Sequence, residues 1–183
     1  SLEGYALTEN FLLTLESVQD YLDHLTDEGR LIFVGHNDAE ILRLLSISLS
    51  ALNRRGVNTI SAMQQIYLVG SEDYPVLVMK KTPFDPREML AGYAAMLQMG
   101  YEQQSSYFPF TGQEGMLNQA LVALAKGQIA PGAFIEMVGE KGYDIRPVSD
   151  NSPFFYKFDT GTPRPVLMIF WFSGLSCLIM ICI

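Results

Sequence analysis

IYLVGSEDYPVLVMKKTPFDPREM, residues 66–89, contains two apolar runs, the turn between them and the start of a helix. Ile66–Val69 and Val76–Lys80 are rich in β-branched and other apolar residues, which predicts two strands. The short turn from Gly70 to Pro75 can only join strands that run in opposite directions. We therefore expect an antiparallel strand pair at this point of the chain.

The same stretch ends in a well-marked helix start. Asp85 and Glu88 have the spacing of a capping box, and Pro86 falls at the first helical position, where its fixed φ and missing N–H are tolerated. The helix is predicted to run to about Met99, and Gly100 closes it.

Further strands and helices are predicted towards the N-terminus. Leu31–Val34 is a short apolar run after a glycine, which is typical of a buried, parallel strand. Before it, Thr8 can cap a helix over residues 9–25, whose apolar side chains recur every three or four residues. After it, Asp38 is a good N-cap for a helix that ends at Gly56.

The order of these elements predicts an α/β fold. Thr111 and Glu114 repeat the capping spacing before a helix to about Lys126, whereas the Gly-rich residues 127–142 have no clear period. Strands alternating with helices favour an open sheet, but only three strands are recognisable and none precedes the first helix. We therefore expect residues 1–158 to be the second half of a doubly wound, Rossmann-type domain that includes the antiparallel pair.

Composition limits the partners and cofactors. The 183 residues carry a net charge of −8, with a pI of about 4.7, which argues against nucleic acid as a partner and is compatible with a cationic substrate. His24 and His36 do not have metal-ligand spacing, and both cysteines lie in an apolar run at residues 166–183 without ligand neighbours. No metal site is predicted.

That apolar run, Val166–Ile183, contains 18 residues without a charge. A bilayer requires about 20 apolar residues, so the run is predicted to be the start of a transmembrane helix. The alternative, a buried core helix, is rarely apolar on every side. Residues 159–165 form a short, proline-containing linker. Lys157 and Arg164 flank the entry side of the apolar run, which favours a cytoplasmic position for the globular part.

Familiar catalytic motifs are absent from the sequence, including the Gly-rich dinucleotide turn, the phosphate-binding loop, G-x-S-x-G and H-E-x-x-H. One string nevertheless suggests a site. Pro147 and Pro153 restrict the backbone around Asp150, and a carboxylate held in a rigid turn can point into a cleft. Alternatively, Asp150 and Ser152 only shape the turn.

Four strings, in order, resemble the membrane-associated spermidine synthase-like proteins, which have a class I methyltransferase-like fold. They are ALTENFL at residues 6–12, YLDHLTDEGRLIF at 21–33, VLVMKKTPFDPREM at 76–89 and RPVSDNSPFF at 146–155. The last departs from the family, which often has Asp-Arg where this chain has Asn151-Ser152. The resemblance covers the C-terminal half of the family's domain.

The resemblance implies S-adenosylmethionine, or its decarboxylated form, as the donor, and aminopropyl transfer to a cationic amine. It puts the catalytic and cofactor-binding residues before Ser1, and it suggests Tyr5, Glu9 and Asp150 as substrate-binding residues. Glu9 could instead complement a helix dipole, and Tyr5 could cover a sheet edge. Methyl transfer to another acceptor, and a non-catalytic module of a multi-span membrane protein, are the alternative functions.

Overall fold

The computed structural model of the protein describes residues 11–111, 116–153 and 155–158. The helices and strands of this part are, in chain order, α1 (Leu15–His24), β1 (Leu31–Val34), α2 (Asp38–Arg54), α3 (Thr59–Met63), β2 (Ile66–Gly70), β3 (Val76–Met79), α4 (Pro86–Gln98), β4 (Glu102–Tyr107), α5 (Met116–Ala125) and α6 (Pro131–Glu140). The predicted α/β class is confirmed.

The four strands form one sheet in the order β1-β3-β2-β4, and every neighbouring pair is antiparallel. The predicted antiparallel pair, β2 and β3, is confirmed. The expectation that β1 pairs in a buried, parallel sheet is wrong, because its neighbour β3 is antiparallel and Ile32 and Val34 are 63% and 59% exposed. An apolar run does not itself reveal which strand lies beside it.

β1 and β2 run in the same direction, because each is antiparallel to β3, which lies between them. The chain passes from β1 to β2 through α2 and α3. Parallel strands need a crossover connection of this kind, because a short turn leaves the second strand antiparallel to the first. The carboxyl ends of β1 and β2 therefore lie at the same edge of the sheet.

Side chains that alternate along the strands divide the core into two parts. Leu68 and Leu77 pack on one face against apolar residues of α1, α2, α3, α5 and α6. On the other face, Val78 packs against Met89 and Met96 of α4. Helix α2 is buried along most of its length, and each fully buried leucine contributes about 1.5–3 kcal/mol, so this helix holds the domain together.

Helix ends test the capping predictions. Asp85 caps α4 by accepting from the N–H groups of Arg87 and Glu88, with Pro86 at the start of the helix, as expected. Helix α2 is capped by Asn37 instead of Asp38. The helix predicted over residues 9–25 is wrong as a continuous element, because Thr14 is extended at φ −96° and ψ 167° and caps α1 through a reciprocal bond with Ser17.

Three elements were not predicted. Strand β4 has the sequence EQQSSY, which lacks apolar alternation, α3 is only five residues long, and α6 begins at Pro131 inside the Gly-rich stretch. The linker 159–165 and the apolar run 166–183 lie outside the described residues. Among the helices that are described, none has the length and apolar character needed to cross a membrane.

Candidate functional site

A cleft of about 570 Å³ opens where the parallel strands β1 and β2 end. The start of α2 contributes Asp38 and Leu42, and the residues after β2 contribute Glu72. Val138 of α6 and the following Tyr143 complete the wall. Ligands of open α/β sheets bind outside the carboxyl ends of the strands, which makes this cleft the candidate site.

The turn between β1 and α2 is fixed by backbone contacts. The Gly35 N–H donates to the carbonyl of Pro75 at 2.8 Å, which ties this turn to the β2–β3 hairpin. A Cβ on Gly35 would lie 3.0 Å from Cγ1 of Ile41, so a larger residue would push the turn away from α2. Asn37 then caps α2 by accepting from the Glu40 N–H at 3.0 Å.

Glu40 holds the same turn from the other side. Its carboxylate accepts from the backbone N–H of His36 at 3.0 Å and from Nδ2 of Asn37 at 3.0 Å. Nδ1 of His36 lies 3.2 Å from the same carboxylate. The result is a reciprocal cap in which a nearly buried carboxylate is oriented by two donors and contacts an exposed imidazole.

The charges of the cleft favour a cation with an apolar portion. Asp38 and Glu72 supply two carboxylates and Lys141 one ammonium, while Leu42 and Val138 supply apolar surface. A protonated alkylamine could contact a carboxylate and lay its carbon chain on these apolar side chains. In the part of the chain that the structure describes, no group of three or more His, Cys, Asp or Glu side chains could hold a metal.

The described residues do not fit the adenosyl donor that the resemblance implies. β1 is followed by Gly35-His36-Asn37 and β2 by Ser71-Glu72-Asp73, and neither turn has the repeated glycines that let a backbone approach such a group. No described residue is therefore assigned to the donor.

Arg43 of α2 fixes a loop formed by residues 144–158. Its side chain, 2% exposed, donates to the carbonyls of Phe155, Asp144 and Lys157, the last at 2.7 Å, and its guanidinium lies 4.5 Å from the Phe158 ring centroid. The Asp144 N–H donates to the Phe158 carbonyl at 2.8 Å, which closes the loop. Burial lowers the pKa of Arg43 to about 10, and the Asp144 carboxylate opposes that shift.

Asp150 lies on this loop, at the N-terminus of α1. Its Oδ1 accepts from Oγ1 of Thr14 at 2.6 Å, and its N–H donates to Glu16 at 3.1 Å. Burial alone would raise the pKa of the Glu16 carboxyl. The hydrogen bonds from the Asp150 N–H and the Glu16 N–H, together with Arg54, outweigh burial, so the pKa of Glu16 is lowered. These contacts fit the turn-forming interpretation of Asp150.

Asp150 is not among the cleft-lining residues. Glu16 connects it to Arg54, the last residue of α2, whereas the cleft lies at the first turn of that helix, about 24 Å away along its axis. The substrate-binding role of Asp150 stays a prediction, and Tyr5 and Glu9 lie outside the described residues.

Comparison of the chain with protein-family models, curated proteins and solved structures found no match.

Sequence reasoning missed the residues that the fold places at this cleft. Asp38 was identified only as a helix cap, and Glu72 only as part of a turn. His36 was considered only as a possible metal ligand, although its spacing from Glu40 brings the two side chains to one helix end once Asn37 caps α2. The signal that could have found all of them is position, since each follows one of the two parallel strands.

Proposed function

We propose that the chain is the C-terminal half of a doubly wound domain in a membrane-anchored, spermidine synthase-like group-transfer protein. The proposed reaction is transfer of an aminopropyl group to a cationic amine. The observation that carries the proposal is the parallel pair β1 and β2, joined by a helical crossover and separated by the antiparallel β3. Such crossovers are the unit from which doubly wound domains are built.

The open side of the sheet supports the same proposal. In the described part of the chain, β1 has β3 on one side and no strand on the other. Its Ile32 and Val34 project, largely exposed, on the face that α4 covers elsewhere. An edge strand with an exposed apolar face is normally covered in the complete protein. Further strands and a helix beside β1 would cover both its edge and this face.

The cleft supports an amine as the acceptor. The exposed Glu72 can hold an ammonium group, and the adjacent apolar wall suits an aliphatic chain. A donor of the S-adenosylmethionine class supplies an electrophilic carbon beside its sulfonium. The residues of this chain would bind and orient the acceptor. The two reactants would then react from fixed positions instead of having to meet by diffusion.

The test uses the full-length protein with S-adenosylmethionine or its decarboxylated form and a linear diamine. Aminopropyl transfer releases methylthioadenosine, and methyl transfer releases S-adenosylhomocysteine, so product analysis separates the proposal from a methyltransferase. Absence of both products with either donor would support a non-catalytic module and contradict the proposal.

A variant pair tests the acceptor site. We expect Glu72→Gln to raise the KM for the diamine about tenfold, because a charge-assisted contact contributes about 1.5–3 kcal/mol and this side chain is exposed. Asp73→Asn is the matched control, since Asp73 is an exposed neighbour that is not among the cleft-lining residues. Equal KM values for the two variants would remove Glu72 from the site.

Membrane attachment with a cytoplasmic globular part belongs to the same proposal. It rests on the uncharged run at 166–183. Deletion of residues 163–183 should turn a protein that sediments with membranes into one that stays in the aqueous phase. Continued sedimentation after deletion would place the anchor elsewhere.

A further inference from the structure

Tyr143 is a half-exposed aromatic residue in the wall of the cleft. It follows α6, its side chain is 51% exposed, and Val138 of the same helix lines the cleft with it. The proposed function uses Glu72 and the aliphatic wall and leaves this ring without a role. An aromatic ring is neutral, yet its face attracts a cation. The ring is therefore a second group in the cleft that could recognise a charged amine.

The end of α6 fixes the position of Tyr143. Gly142 has a φ of 94°, a left-handed conformation that a residue without a Cβ adopts readily. The Gly142 N–H donates to the Gly139 carbonyl at 2.9 Å, and the Tyr143 N–H donates to the Val138 carbonyl at 3.4 Å. These two bonds form a Schellman motif, which often brings the two residues of the longer bond into side-chain contact. Those two residues, Tyr143 and Val138, both line the cleft.

The residue after Tyr143 is also held in place. The Asp144 N–H donates to the Phe158 carbonyl at 2.8 Å, and the Asp144 carbonyl accepts from Arg43. The backbone of Tyr143 thus lies between two fixed points. A ring on such a backbone loses little conformational freedom when a ligand binds, so more of its contact energy is available for affinity.

The charged groups of the cleft determine what this ring could add. Glu72, on the β2–β3 hairpin, is exposed and supplies a carboxylate, whereas Lys141 lies two positions before Tyr143 and opposes a cation. An apolar side chain on the wall that carries Lys141 would give an ammonium group no compensation for lost water. An aromatic ring does compensate it, and the same ring packs on the methylene groups next to the nitrogen.

We infer that Tyr143 is a specificity-determining residue, whose ring face binds an alkylammonium ligand together with the Glu72 carboxylate. The inference rests on the proposed function, which places an amine in this cleft. It adds the residue that selects the charged amine over a neutral molecule of the same shape. The contact requires the ring and not the hydroxyl group, because the ring face is what attracts the cation.

Binding measurements without a donor test the inference. The probes are 1,4-diaminobutane and 1,4-butanediol, which have similar shapes but differ in charge, and NMR titration of each probe with the full chain in detergent gives its Kd. The diol should bind at least about tenfold more weakly than the diamine, because it lacks a charge-assisted contact. Tyr143→Leu should raise the Kd of the diamine about two- to fivefold, the range expected for a cation–π contact at a partly exposed site. Tyr143→Phe should stay within about 1.5-fold of the wild type, because it keeps the ring.

Tyr101 offers a matched control. It follows α4 through the same motif, with Gly100 at φ 78°, a Tyr101 N–H bond of 3.3 Å to the Met96 carbonyl and a side chain that is 45% exposed. Tyr101 is not among the cleft-lining residues, so Tyr101→Leu should leave the Kd of the diamine unchanged. Urea unfolding of both leucine variants shows whether their stabilities are comparable.

Three results would overturn the inference. They are equal diamine Kd values for Tyr143→Leu and Tyr101→Leu, a Tyr143→Phe variant as weak as Tyr143→Leu, and a diol that binds as tightly as the diamine. The proposed function fails separately. If the Tyr143 variants bind as expected and the full-length protein forms no product with either donor, the inference about Tyr143 holds and only the transfer reaction is contradicted.

Discussion

Replacing Arg43 by methionine should strongly destabilise the domain. Met keeps much of the apolar stem but donates no hydrogen bond. The carbonyls of Asp144, Phe155 and Lys157 then lose their charged donor, and Asp144 loses an ion pair at 3.7 Å. Removing one partner of a buried pair costs about 3–5 kcal/mol. For a chain of this size, that corresponds to a decrease in Tm of roughly 6–20 °C.

A matched control separates burial from charge. Arg54→Met removes the same functional group from the same helix, but Arg54 is about half exposed and contacts Glu16 at 3.3 Å. Surface pairs of this kind contribute about 0–1 kcal/mol. Urea unfolding of both variants in detergent, followed by circular dichroism at 222 nm, measures the two losses. If Arg43→Met loses no more stability than Arg54→Met, Arg43 does not hold the loop of residues 144–158.

Hydrogen exchange gives a local readout of the same change. In Arg43→Met the amides of residues 144–158 should exchange faster than in the wild type, because the loop loses its main connection to α2. Exchange in β2 and β3 should change only as far as global stability changes. Unchanged protection of the loop would contradict the role assigned to Arg43.

Three further changes test other contacts. Gly70→Ala should destabilise the domain by about 1–3 kcal/mol in urea unfolding, because the added Cβ would lie 1.9 Å from Oγ of Ser105. A variant as stable as the wild type would contradict the close approach of β2 and β4. The Arg146 side chain lowers the pKa of Asp144. The ionised Asp144 therefore stabilises the fold above its unfolded pKa of about 3.9, and this stabilisation is lost as the pH falls through its folded pKa. Asp144→Asn should make the free energy of unfolding less dependent on pH below about pH 4, and an unchanged pH dependence would argue against the pairing. Asp150→Asn should stay within about 0.5 kcal/mol of wild type, because an amide oxygen can also accept from Thr14; weakened diamine affinity in the full-length protein would instead support its substrate-binding role.

Local signals in the sequence were sufficient for several elements. Asp85 and Pro86 mark the start of α4 through capping and a fixed φ, and both effects depend only on neighbouring residues. Gly56 and Gly100 follow helix ends at φ 83° and 78°, which a residue without a Cβ adopts readily. Short turns between apolar runs likewise predicted the β2–β3 pair.

The candidate site was harder to predict than these elements. A cleft requires residues from α2, from the β2–β3 hairpin and from α6, which are far apart in sequence. Asp150 could be identified as a carboxylate in a rigid turn, but its partner Thr14 is 136 positions away. No local pattern reveals which group will meet such a carboxylate, so the interpretation as a turn residue or a ligand could not be decided from the sequence.

By itself the sequence determined the α/β class, the two apolar runs of the hairpin and the start of α4, because these follow from hydrophobic period, turn residues and capping within a few positions. Only the tertiary structure decided that β3 lies between β1 and β2, and that the polar β4 joins the sheet. Strand pairing depends on which backbone edges meet after the helices pack. For the same reason, only the folded chain brought Asp38 of α2 and Glu72 of the β2–β3 hairpin to one cleft.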